Sequence, residues 1–321
     1  MPEIFEFEFM RRAMLAAVLV GAIAPAFGVF LVLRRLSLIA DTLSHVALAG
    51  VAIGLLTKVY PPYIALGATS AAAVSIEELR ARRLLPGDAA LAVFLYGALA
   101  LAVVIISVTG SFNSSLFSFL FGSILTVSVS DLWLIAGLTI AVTLFLVAFS
   151  SELAQVSFDS DLARINGVRV HAMNLALAVI AGATITVSMR VVGVLLIGAL
   201  IVVPVLVALR LSSGLSRAVL ASAVAGVVMA SAGMVIAYYA DIAPGGSVVL
   251  TGIGMLVLVE AWNLVRARTG HHPAETRPHT HAHMTHAHAR GSLSLSESSD
   301  GTTEGARPAG PVLFPDDQPQ P

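Results

Sequence analysis

The chain has 321 residues, 57% of them hydrophobic and 12% charged, with a mean hydropathy of +0.91; a soluble core of this length could not hide so much apolar surface, so lipid is its solvent. A formal net charge of −1 provides no basic field for a nucleic-acid partner. There is no cysteine, which excludes disulfides, thiolate metal sites, iron–sulfur clusters and cysteine nucleophiles, so any metal ligand is His, Asp, Glu, Met or backbone.

In chain order, the opening IFEFEF alternates apolar and acidic residues, as suits a segment lying at the membrane interface. Arg11 and Arg12 follow, and the apolar run continues to Leu33 without a small-residue cleavage site, which reads as an uncleaved first span. At roughly 20 apolar residues per crossing, spans are expected from Met10 to Leu33, Leu36 to Thr57, Pro62 to Ile76, Ala89 to Thr109 and Leu132 to Phe149. Beyond a middle loop come His171 to Ser188, Val191 to Leu209, Ala218 to Tyr239 and Ser247 to Val265. The expected fold is therefore all-α, a polytopic helical membrane protein of about nine transmembrane helices.

Gly110 to Asp131 is too polar at its start and too apolar later for a plain loop or span, and is expected to be re-entrant or interfacial. Were it to cross, there would be ten spans and the amino terminus would change sides. Arginines mark one set of short loops as cytoplasmic: Arg34 with Arg35, Arg80 with Arg82 and Arg83, Arg164 with Arg169, Arg210 with Arg217, and Arg266 with Arg268. Nine spans fit this alternation, with Arg11 and Arg12 the poor match. Residues 1–268 read as the membrane domain and 269–321 as a disordered, His-rich cytoplasmic tail, too poor in apolar residues to offset ordering entropy.

Inside the second span, Asp41 and His45 stand four residues apart and so share a helix face, together with Ser37 and Ser44. Such a stripe faces a cavity or another helix, not lipid. A carboxylate with an imidazole suits zinc, manganese or ferrous iron, and two copies around a two-fold axis would supply four ligands, which points to a homodimer. The plainer alternative is that Asp41 caps the helix and accepts a hydrogen bond from His45.

Five stretches in order, FLVLRRLSLIADTLSHVALAGVA (30–52), LFGSILTVSVSDL (120–132), DSDLARINGV (159–168), VVGVLLIGALIVVP (191–204) and DIAPGGSVVL (241–250), resemble the ZnuB-like permeases of zinc, manganese and iron ATP-binding-cassette importers. The resemblance covers nearly all of 8–265. It implies that Asp41 and His45 line the metal path. It also implies a homodimer served by cytoplasmic ATP-binding subunits and an extracytoplasmic metal-binding protein, with no permanently bound cofactor and the divalent metal as cargo. Ala40 and Ala49 stand where many relatives have Gly and Pro, which leaves the ligand pair intact but removes one helix kink.

Lys58 is the only lysine and lies in no phosphate-binding loop, so ATP hydrolysis is expected on a separate subunit and the chain itself is not an enzyme. Asp159, Asp161, Ala163 and Gly167 in the middle loop resemble the ATPase-coupling segment of such importers, the alternative being an ordinary solvated connection. A gradient-driven secondary metal transporter is the rival function. An intramembrane zinc protease is excluded, since no H-E-x-x-H motif is present. In the tail, His271, His272, His279, His281, His283, His286 and His288 are candidates for auxiliary binding of zinc, nickel or copper, the alternative being a tolerated low-complexity segment.

Overall fold

The computed structural model describes residues 6–109, 114–123, 125, 127–194 and 196–269. Of the expected tail, residues 270–321, including its seven histidines, lie outside them. All secondary structure among the described residues is helical: α1 (Glu8–Leu33), α2 (Ser37–Thr57), α3 (Pro61–Ala81), α4 (Gly87–Thr109), α5 (Ser114–Phe121), α6 (Val129–Ala148), α7 (Ser150–Phe158), α8 (Ser160–Ile165), α9 (Val170–Val192), α10 (Ile197–Leu211), α11 (Leu215–Ala240) and α12 (Pro244–Thr269).

Seven of these, α1, α2, α4, α6, α9, α11 and α12, are long and apolar enough to cross a membrane. Each of the nine expected segments coincides with a helix, but two fall short of that standard for different reasons. The last turns of α3 carry Glu77, Glu78 and Arg80, which dilute its apolar character. The apolar α10 has 15 residues, about 22 Å at the rise of an α-helix, against roughly 30 Å of hydrocarbon. The eight-residue α5, between α4 and α6, is too short to cross, in keeping with the re-entrant or interfacial expectation.

The interior is built by α1, α2 and α9, while α4, α6 and α12 leave most of their apolar surface exposed, as lipid-facing helices do. The closest packing joins α1 to α11. Gly21 and Gly226 let the two backbones touch, Pro25 of α1 packs against Gly226, and the Ser222 hydroxyl donates to the Pro25 carbonyl at 3.2 Å. Small residues at such a crossing bring dispersion contacts close where no hydrophobic effect operates between apolar helices.

At the end of the bundle holding the arginine-rich turns, Arg34 donates to Asn174 of α9, and Arg80 pairs with the buried Glu77 at 3.2 Å. Burial lowers the Arg34 guanidinium from its ordinary value, with the Glu77 carboxylate opposing and Arg80 reinforcing the shift. Glu260 pairs with Arg210 at 2.8 Å and ties α12 to the end of α10.

The least regular backbone is the break between α9 and α10. Gly193 ends α9 with φ 89° and ψ 151°, a conformation open essentially to glycine alone. The freed backbone groups find partners: Val194 N–H donates to the Phe119 carbonyl at 2.9 Å, and Ser123 N–H to the Arg190 carbonyl at 3.3 Å. Non-helical backbone at membrane depth is tolerated where protein covers it in this way.

Candidate functional site

Leu36 is the residue that caps α2, and Asp41 lies inside the helix, so the capping role does not apply to it. His45 Nε2 and Asp41 Oδ1 are 3.9 Å apart, on one face as the four-residue spacing predicts but beyond hydrogen-bond length. The His45 side chain is 15% exposed and that of Asp41 52%. His45 Nδ1 is buried with no hydrogen-bond partner. The Ser44 hydroxyl donates to the Asp41 carbonyl at 2.7 Å.

A half-exposed carboxylate on an apolar span cannot face hydrocarbon without a cost of several kcal/mol. Its open side therefore belongs to an aqueous path or to another protein surface. Gly198, in the first turn of α10, lies beside the Asp41 backbone nitrogen. Beginning after the break, α10 brings its N-terminal turn to this level of the bundle. Among the described residues no group of three or more His, Asp or Glu side chains is gathered to hold a metal. One chain thus offers one carboxylate and one imidazole, two of the four ligands that zinc takes.

The middle segment folds into α7 and α8. Asp159 caps α8, accepting from the N–H groups of Asp161 and Leu162 at 3.0 Å each, and Asp161 adds a negative charge to the first turn. Ala163 is buried against Val156 and Val170, and Gly167 has the positive φ of 84° that ends the helix. Of the four residues singled out in the sequence, only Ala163 is buried, and Asp159, Asp161 and Gly167 stand on the surface of the turn. The apolar groups that face outward are Phe158, Leu162 and Ile165, the last 82% exposed. Sequence reading missed them because apolar residues beside a helix read as core; the signal was their presence in a loop otherwise mixed in charge.

At the other end of the bundle, Arg190 and Asp131 form an ion pair at 2.7 Å that no sequence spacing predicts. Burial holds the neighbouring Tyr60 phenol above its ordinary value, with Arg190 pulling against the shift, so Tyr60 keeps its proton and donates it to Asp131.

The model of the ABC 3 transport family matches residues 6–263. The chain belongs to that family. A Treponema pallidum membrane protein named for a metal transport system is 36% identical over 265 residues, covering 82% of this chain and 99% of that one. The manganese import system permease protein ScaB of Streptococcus gordonii is 31% identical, over 77% of this chain and 88% of its own. The high-affinity zinc uptake system membrane protein ZnuB of Haemophilus influenzae is 29% identical, over 78% and 97%. Among solved structures, PsaBC from Streptococcus pneumoniae in complex with Fab contains a chain that aligns with a TM-score of 0.72 at 30% identity, covering 80% of this chain and 92% of that one. The ABC 3 match spans all twelve helices as far as residue 263 and stops before the His-rich segment.

Proposed function

We propose that the chain is the permease subunit of an ATP-driven importer that carries a divalent transition metal across the cytoplasmic membrane, zinc first, with manganese and iron as alternatives. The observation that carries this reading is the Asp41–His45 pair, 3.9 Å apart on a membrane span with the carboxylate half exposed. Membership of the ABC 3 transport family and the manganese and zinc permeases among its relatives support it. Zinc is favoured by the imidazole-bearing pair and the seven-histidine tail, both suited to a borderline metal.

The proposed unit is a homodimer. Two ligands per chain leave a tetrahedral ion half bound, and a second copy across a two-fold axis would complete Asp2His2. Nine spans, with α3 and α10 crossing inside the protein and α5 re-entrant, put the arginine-rich turns, α7, α8 and the tail from residue 269 in the cytoplasm. There an ATP-binding subunit would dock on α7 and α8 through Phe158, Leu162 and Ile165, with Asp159, Asp161, Ala163 and Gly167 holding the turn in shape. An extracytoplasmic metal-binding protein would deliver the ion to the opposite end. Alternating access then passes the metal to Asp41 and His45 and inward; no covalent bond is made or broken.

The test is uptake of radioactive zinc and manganese by cells co-expressing the chain with its ATP-binding subunit and binding protein, wild type against His45→Ala at matched membrane levels. Loss of uptake with correct assembly supports a metal path through His45. Undiminished uptake makes His45 structural and moves the site elsewhere. Uptake that persists without the ATP-binding subunit, and collapses with the proton or sodium gradient, would favour a secondary transporter instead.

A further inference from the structure

The cluster around Arg190 lies apart from the proposed metal pair and joins four side chains by hydrogen bonds. Arg190 Nη1 lies 2.7 Å from both carboxylate oxygens of Asp131 and 2.7 Å from the Tyr60 hydroxyl. Tyr60 donates in turn to Asp131 Oδ1 at 3.1 Å, and Ser128 gives Asp131 Oδ2 its backbone N–H at 2.9 Å and its hydroxyl at 2.6 Å. The guanidinium carbon sits 5.8 Å from the Tyr60 ring centre and 5.7 Å from that of Phe119. Residues from α5, α6 and α9 and from the cap of α3 thus close on one cation.

This arrangement is built to stay shut. Asp131 is 8% exposed, and the adjoining cavity of about 20 Å³ holds about one water. No other charged group lines that cavity. Separating the pair would strand the buried Asp131 carboxylate and the largely buried Arg190 guanidinium without a substitute charged partner, which costs more than the pair's net worth.

The cluster's position gives this rigidity a use. From Asp131, α6 runs to α7 and α8; from that turn α9 runs back to Arg190; just beyond Arg190 the chain breaks at Gly193, and α10 begins beside Asp41. We infer that Tyr60, Asp131 and Arg190 are positioning residues forming a closed pivot, which stays shut through the transport cycle while α6 and α9 swing at their opposite ends and carry that movement to the helix break beside Asp41. The inference rests on the ATP-driven reading above.

The chain has no native cysteine, so a pair of introduced thiols can be bridged without competition from other thiols of the same chain. In the reconstituted complex with its ATP-binding subunit and binding protein, Asp131→Cys/Arg190→Cys is compared before and after bridging with a short reducible bis-thiosulfonate, the readout being zinc moved per ATP hydrolysed. The unbridged variant is expected to fall roughly tenfold in that ratio, and bridging to restore it. If bridging instead stops transport and reductant releases it, the cluster opens in the cycle and the pivot is wrong. Arg190→Lys, which keeps the charge but not the planar fork, is the milder second variant and is expected to lower the same ratio. A cluster that merely held the fold would reduce assembled complex and leave zinc per ATP unchanged in both variants, which also overturns the inference. A wild-type complex unable to move zinc, manganese or iron with ATP would sink the transport reading instead.

Discussion

Gly193 and Gly122 meet backbone to backbone, each with a positive φ, 89° and 76°. A Cβ on Gly193 would overlap the carbonyl oxygen of Leu120, and one on Gly122 that of Val191. Neither obstacle is a side chain that could rotate away. Gly193→Ala is expected to cost about 3 kcal/mol or more, from strain at a glycine-only conformation plus the overlap. A detergent-solubilised thermal unfolding midpoint indistinguishable from wild type would contradict this.

The polar stripe of α2 divides into residues that matter for transport and one that does not. Asp41→Asn and His45→Ala should each lower metal uptake at least about tenfold without changing membrane levels. Ser44→Ala should leave uptake within about twofold, because its hydroxyl only closes a local bond to the Asp41 carbonyl, worth roughly 1 kcal/mol. Equal losses at all three positions would mean that the stripe is structural.

On α8, Leu162 and Ile165 face outward while Ala163 is buried. Ile165→Asp should weaken binding of the ATP-binding subunit, read as its co-purification with the permease, and leave permease stability within about 0.5 kcal/mol. Ala163→Leu should act in the opposite sense, overpacking the turn by about 1–3 kcal/mol. An Ile165→Asp variant that retains the subunit fully would move the docking surface off α8.

Truncation after Arg268 keeps nearly all of α12 and removes all seven tail histidines. Zinc uptake should survive, and calorimetric zinc binding by the purified chain should fall to what Asp41 and His45 provide. A folded truncate without uptake would give the tail an essential part in transport.

Most of the architecture was legible because hydrocarbon imposes a simple length rule. All nine apolar runs, including those at α1, α2 and α11, correspond to helices, and the Asp41–His45 spacing put both groups on one face. The length of α10 was not legible: Val191 and Val192 read as the start of a span, yet they finish α9, because the deciding contacts come from Phe119 and Ser123 some seventy residues earlier. The Arg190–Asp131 pair was hidden for the same reason, since residues 59 apart in sequence carry no periodic signal of their contact. The surface of α8 escaped because its polar pattern identifies a turn without saying which apolar residues the turn turns outward.

The crossing at Gly193 also bears on biosynthesis. Besides α5, it is covered by Gly245, in the first turn of α12, whose Cα lies against the Val192 carbonyl and leaves no room for a side chain. Until α12 has been synthesised and inserted, the interrupted stretch has one of its walls missing. The helix break beside Asp41 therefore reaches its final form only after the last span has left the ribosome, and nascent chains stalled before residue 244 should hold every earlier helix without yet holding the mature break.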